Sequence, residues 1–166
     1  MSTLTVQTLQ APTSGANANK LLVGSGHTLH AAGHIIQVVN GVLTAGAANS
    51  TTSYVDTGLT ATITPKFATS KILVVTTIMG VENNTASEGT HVKLVRGSTD
   101  LSEFGKYMGY VRTYVTNHPS ISFLDSPSTT SATTYKVQFK LGQGSGTSNI
   151  GANSSISSMT LMEIAQ

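Results

Sequence analysis

The run TTYKVQFKLG, residues 133–142, decides the fold class: Tyr135, Val137, Phe139 and Leu141 alternate with Thr134, Lys136, Gln138 and Lys140. A period of two puts the aromatic and aliphatic side chains on one face and the polar ones on the other, the signature of a half-buried antiparallel strand. The same reading extends to SSMTLMEIA, where Met159 and Leu161 alternate with polar residues. Working outward, six further segments carry strand character: IIQVVNGVL, SYVDTGLTATITP, KILVVTTIMGV, HVKLVRG, FGKYMGYVRTYVT and ISFLDSP, with residues 72–75 (ILVV) apolar on both faces and so expected in mid-sheet, covered on each side. Gly, Pro, Asn and Ser punctuate these runs at spacings of about ten residues, without an intervening helical period. The expectation is an all-β fold, an antiparallel two-sheet sandwich of jelly-roll-like type over residues 35–166.

Composition agrees. Charged residues make up 10% of the 166 positions, while Ser and Thr supply roughly a quarter, against about 25% charge in ordinary globular domains. Threonine suits a pleated surface, and exposed helices normally carry Glu, Lys and Arg. The nine basic residues are scattered, which argues against nucleic acid as a partner. With no cysteine, disulfides and thiolate metal sites are excluded. The longest apolar stretch is far short of the roughly twenty residues of a membrane span, and the first residues lack a signal-peptide pattern, so no membrane association is expected.

Residues 1–34 differ from the rest, being poor in large apolar side chains and rich in Gly, Ala, Asn and Thr. Such a stretch cannot build a core and gains order only against another surface. It is expected to be an extended N-terminal arm, with Leu4, Val6, Leu9, Leu21, Leu22, Val23 and Leu29 as its partner-binding residues.

Candidate chemistry is sparse. His27, His30 and His34 follow an H-x-x-H-x-x-x-H spacing that would converge on a helix, but in extended chain they read as structural residues and only weak metal candidates. The glycine-rich residues 142–151 lack the following helix and the Lys-Ser/Thr ending of a phosphate loop, and read as a mobile turn. No G-x-S-x-G occurs, and the carboxylates are scattered; Asp125, ahead of Ser126-Pro127, reads as a strand end whose carboxylate caps the turn. No catalytic residue, cofactor or metal is expected. Tyr107, Tyr110 and Tyr114 offer a stacking surface for a glycan or a subunit, with Tyr110 and Tyr114 on one strand face and Tyr107 on the other.

Four phrases in order, TLTVQTLQAPTSGANANKLLVGSGHTLHAAGHIIQVV, YVDTGLTATITPKFATSKILV, FLDSPSTTSATTYKVQF and MTLMEIA, resemble small virion structural proteins of tailed bacteriophages. The resemblance implies a non-enzymatic protein made in the host cytoplasm and placed on the particle exterior, with jelly-roll trimers as the related architecture. It transfers no catalytic residue. Two expectations follow. The first is a homotrimeric capsid decoration, or cement, protein bound to the major capsid protein. The second is a tail fibre or tail-associated protein that binds a receptor or host surface glycan and attaches to a tail adaptor through its arm.

Overall fold

The computed structural model describes residues 13–15, 25, 27–85, 88–110, 115–151 and 154–166. The chain divides into two units, Met1–His30 and Ala31–Gln166. The arm residues Leu4, Val6, Leu9, Leu21, Leu22 and Val23, and Tyr114, lie outside the described residues. Of the first unit, Leu29 is described and exposed.

The second unit is all β. Its strands are β1 (Ile35–Leu43), β2 (Ala47–Asn49), β3 (Val55–Ile63), β4 (Lys71–Thr77), β5 (Glu82–Asn83), β6 (Thr90–Arg96), β7 (Thr99–Met108), β8 (Ser120–Asp125), β9 (Thr133–Leu141), β10 (Ser148–Ile150) and β11 (Ser157–Ile164). Every pairing among them is antiparallel. The first large sheet has the order β1-β11-β4-β8, the second β3-β9-β6-β7, and β2-β10-β5 form a small third sheet. Counting only the eight strands of six or more residues in chain order, the large sheets read 1-8-3-6 and 2-7-4-5. That order results when a long antiparallel hairpin, pairing 1 with 8, 2 with 7, 3 with 6 and 4 with 5, is wound so that alternate pairs fall in opposite sheets. It is the jelly-roll winding, two Greek keys closed on one core.

The alternating strands deliver that core. Tyr135, Val137 and Phe139 of β9 meet Met159 and Leu161 of β11, Ile72 and Val74 of β4, Leu59 and Ile63 of β3, and Val92 and Leu94 of β6, all essentially inaccessible to water. Each such side chain contributes roughly 1.5–3 kcal/mol on burial. Along one border β1 of the first sheet closes on β3 of the second, and Gly41 makes this approach possible, since a Cβ there would overlap the Thr60 carbonyl oxygen.

Two polar clusters lock the sandwich. Across the sheets, Arg96 of β6 donates to both carboxylate oxygens of Asp125 on β8, at 2.8 and 2.6 Å, and the buried Tyr135 hydroxyl donates to the same carboxylate at 2.6 Å. Asp125 does end its strand, but its carboxylate faces inward and ties the two sheets instead of capping the following turn. At the other border the wholly buried Glu163 accepts from Gln37 Nε2 at 2.5 Å and from the Lys66 and Phe67 amides at 2.7 and 3.3 Å. Burial pushes the Glu163 carboxyl up, yet these donors outweigh it and hold the group below the usual carboxylate range.

Three expectations change. Residues 142–151 are not simply a mobile turn: they contain β10, which pairs with both β2 and β5. β4 does lie in mid-sheet, but only its inner face is covered, and Val75 on its outer face is 39% exposed. β7 begins five residues ahead of the aromatic run and ends at Met108, so Tyr110 lies in a turn and not on a strand face.

Candidate functional site

The two large sheets present different outer faces. On the first sheet, the residues between the core positions fall in register across all four strands. One row reads Val38, Met162, Leu73, Leu124; the next reads Asn40, Thr160, Val75, Ser122; a third reads Val42, Ser158, Thr77, Ser120. Ile35 and Ile164 pair beside Lys71 at the end of the first row. Val38, Val42 and Leu124 are each more than half exposed. Among the described residues of these rows, Lys71 alone carries a charge. A run of aliphatic side chains across four strands is therefore open to solvent, without ion pairs to finish it for water.

The second sheet is finished for water. Its outward residues include Asp56, Lys136, Gln138, Lys140, Lys93, His91, Asp100 and Glu103. Asp56 accepts from Lys136 at 3.0 Å and Gln138 at 2.7 Å, and Lys93 donates to both oxygens of Asp100 at 2.7 and 2.8 Å. The Lys93 and Lys140 ammonium groups lie 4.1 and 5.0 Å from the centre of the Tyr54 ring. Glu103 gathers Tyr54 Oη at 2.6 Å, His91 Nδ1 at 2.9 Å and Lys106 Nζ at 2.9 Å. Partial burial opposes its ionisation, but the Tyr54, Lys106 and His91 donors win and hold its carboxyl at about 2. For Tyr54, burial and then the Glu103 hydrogen bond push the phenol well above its ordinary value.

At the end of this sheet, where β7 turns, two tyrosines meet. The Tyr110 amide donates to the Tyr107 carbonyl at 3.1 Å, and their rings sit edge to face at 5.6 Å. Tyr107 has a positive φ of 51°, a backbone conformation that costs a bulky residue about 1–3 kcal/mol. Gly89 permits the arrangement, because a Cβ there would fall 2.6 Å from the Tyr107 Cα. The Tyr107 ring packs edge-on against the buried His91 at 4.6 Å, leaving the rest of the residue half exposed. Together with Gln143, the two tyrosines line an open groove of about 380 Å³.

Residue by residue, the expected sites fare unevenly. Tyr107 and Tyr110 come together in one groove, where opposite strand faces would have kept them apart. His27, His30 and His34 are exposed. No group of three or more His, Asp or Glu side chains that could hold a metal ion occurs among the described residues. Phe104, part of the same aromatic run, packs against the core. The apolar outer rows were missed, although a signal was present: MTLMEI and KILVV place Met162, Ile164, Leu73 and Val75 where an alternating strand would carry polar residues. Gln143 and the Gly89 contact had no such signal, because each depends on a partner distant in sequence.

No protein-family model and no curated protein matches the chain. Among solved structures, it is similar to a chain in the structure of infectious bursal disease virus Gt strain, at 9% identity and a TM-score of 0.46. That alignment covers 88% of this chain and 42% of the other, so the chain spans less than half the length of the solved one.

Proposed function

We propose that this chain is a non-enzymatic virion structural protein, a homotrimeric capsid decoration protein that sits on the particle exterior and binds the major capsid protein. The observation that carries the reading is the uncharged outer face of the β1-β11-β4-β8 sheet, with its row Val38, Met162, Leu73, Leu124. Exposed aliphatic rows of this kind are stabilised when a partner covers them, and in a threefold ring each copy's face would meet a different surface of its neighbour with no charge beyond Lys71 to desolvate. The row spans roughly 14 Å at about 4.8 Å per strand, too little area for a tight pairwise interface. Three copies holding three arms raise the effective concentration of each weak contact and stiffen the shell they bridge. The order of the four phrases noted above supports the phage setting, and the jelly-roll winding is compatible with it.

Light scattering on the full chain tests the first half of the proposal: a mass of three chains is expected, and a mass of one overturns it. Co-sedimentation with particles tests the second. Residues 31–166 alone are expected to fold and remain with the supernatant, whereas wild-type recovery with particles removes the arm from the account.

A specific observation favours a second reading, a tail-associated glycan-binding protein: the tyrosine groove at the end of β7. Copy number separates the two, with hundreds of chains per particle expected for decoration and a few trimers for a tail component.

A further inference from the structure

We propose that the groove between Tyr107, Tyr110 and Gln143 is a binding site for a neutral saccharide, which lays the C–H face of one pyranose ring on an exposed tyrosine ring. The inference deepens the glycan-contact reading of these tyrosines and does not depend on trimer assembly or capsid attachment.

Four features converge on this chemistry. The groove, at about 380 Å³, lies within the 300–1,000 Å³ range of small-molecule sites. Its described lining consists of two phenols and a primary amide, which offers apolar ring faces together with hydroxyl and amide hydrogen-bonding groups. None of these described side chains carries a charge, and the Glu88 carboxylate against Gly144 of the adjoining loop disfavours an anion, so a polar, uncharged ligand complements them. A sugar ring, with an apolar face and a rim of hydroxyls, has that character.

The third feature is the backbone cost at Tyr107. A left-handed conformation at a non-glycine residue persists where its surroundings over-determine it, and here His91 packs beside the ring while Gly89 leaves room beneath the backbone. The result is an aromatic ring held half exposed in one orientation, which lowers the entropy lost when a ligand stacks on it.

The fourth is a pair of buried polar atoms without partners, His91 Nε2 and Glu88 Oε2. His91 is 7% exposed and packs directly behind the Tyr107 ring. Glu103, ionised above pH 2, can only accept, so His91 Nδ1 carries the proton that it shares with Glu103. Burial keeps the imidazole neutral to lower pH than usual, which leaves Nε2 as an acceptor. Both orphan acceptors adjoin the glycine loop that carries Gln143: a Cβ on Gly142 would lie 3.3 Å from His91 Nε2, and one on Gly144 would overlap the Glu88 carboxylate. Acceptors left without donors beside this loop favour a ligand that brings hydroxyl protons to it.

Saturation-transfer NMR on the full-length chain tests the proposal, with methyl β-D-galactopyranoside, methyl α-D-glucopyranoside, methyl α-D-mannopyranoside and N-acetylglucosamine presented separately, and N-acetylneuraminic acid as the charged comparison. Transfer to the ring C–H protons of at least one neutral sugar is expected, with a change in tyrosine emission, which is readable because the chain has five tyrosines and no tryptophan. Tyr107→Ala and Tyr110→Ala should each weaken binding by at least about tenfold, the loss of about 1.4 kcal/mol expected when an aromatic anchor is truncated, and Tyr107→Phe should stay within about threefold. Tyr107→Asn guards against misfolding, because asparagine tolerates the left-handed backbone: it should keep the wild-type circular dichroism spectrum and lose binding. Absence of transfer from all four neutral sugars overturns the proposal, as does transfer that survives Tyr107→Asn or is stronger for N-acetylneuraminic acid. Light-scattering mass should be the same in every tyrosine variant, so a failed saccharide site and a failed trimer give different results.

Discussion

The two large sheets each have four antiparallel strands, of six to nine residues in one and seven to ten in the other, yet they finish their outer faces in opposite ways. The β3-β9-β6-β7 face carries Asp56, Lys136, Lys93, Asp100 and Glu103 in several ion pairs and hydrogen bonds. The β1-β11-β4-β8 face carries hydroxyls and aliphatic rows, with Lys71 as its charge among the described residues. In a chain with only 16 Asp, Glu, Lys and Arg side chains, placing so many on one sheet leaves little charge for the other. The lesson is that the two faces of a sandwich are told apart by which of them has been left apolar. One outer face is finished with ion pairs, and the other keeps its aliphatic rows exposed.

The largest effect is expected where the two sheets are joined. Asp125→Ala leaves Arg96 and the buried Tyr135 hydroxyl without their shared acceptor, and should cost about 3–5 kcal/mol in urea unfolding. A loss below about 1 kcal/mol would mean that the sheets are held by the apolar core alone. Next comes the apolar face: Val38→Lys with Leu124→Lys should leave the unfolding midpoint within about 0.5 kcal/mol per site, as for ordinary surface changes, while lowering the mass in solution to that of one chain. An unchanged mass would break the contrast between the faces.

Acidification should sharpen it on the other side. Burial holds the folded His91 below its usual pKa of 6.5, so the unfolded state takes up its proton first as the pH falls, and stability declines from about pH 6.5 downward. Glu163 and Glu103 are held below the carboxylate range when folded. Their contribution is complete above about pH 4.3 and fades as the pH drops, toward about 2 for Glu103. Urea midpoints between pH 8 and pH 3 should therefore fall in two stages, and His91→Gln should remove the first. The smallest effect belongs to Lys136→Met. Its pair with the half-exposed Asp56 is worth about 0.2–1 kcal/mol, and the difference from wild type should shrink further in 1 M salt.

Much of this architecture was legible in the sequence, because most of the long strands announce themselves as apolar runs between turn residues, although β7 begins five residues ahead of its aromatic run; β1 and β9 in particular fall where IIQVVNGVL and TTYKVQFKL place them. The short strands did not. Ala47–Asn49 and Ser148–Ile150 have no periodicity of their own and are strands only because each supplies the other's hydrogen-bonding partner. Asp125 likewise showed itself as a strand end, but its partners lie 29 and 10 residues away, and which carboxylate meets which arginine is a matter of winding. The tyrosine groove was half legible: the cluster of aromatic residues was visible, while the turn that brings Tyr107 onto Tyr110 rests on Gly89, eighteen positions earlier in the chain.

The pairing of β1 with β11 bears on how the protein is made. The first and last strands of the sandwich are neighbours, and the Ala165 amide donates to the His34 carbonyl at 2.9 Å to close the sheet. At a synthesis rate of about 5–20 residues per second, β1 therefore waits on the order of ten seconds for its partner. During that interval its aliphatic residues have no sheet to join, and the long separation of paired strands makes the search itself slow. Gln37, Asn40 and Gly41, which interrupt the apolar run of β1, lower its tendency to pair with other nascent chains through this wait.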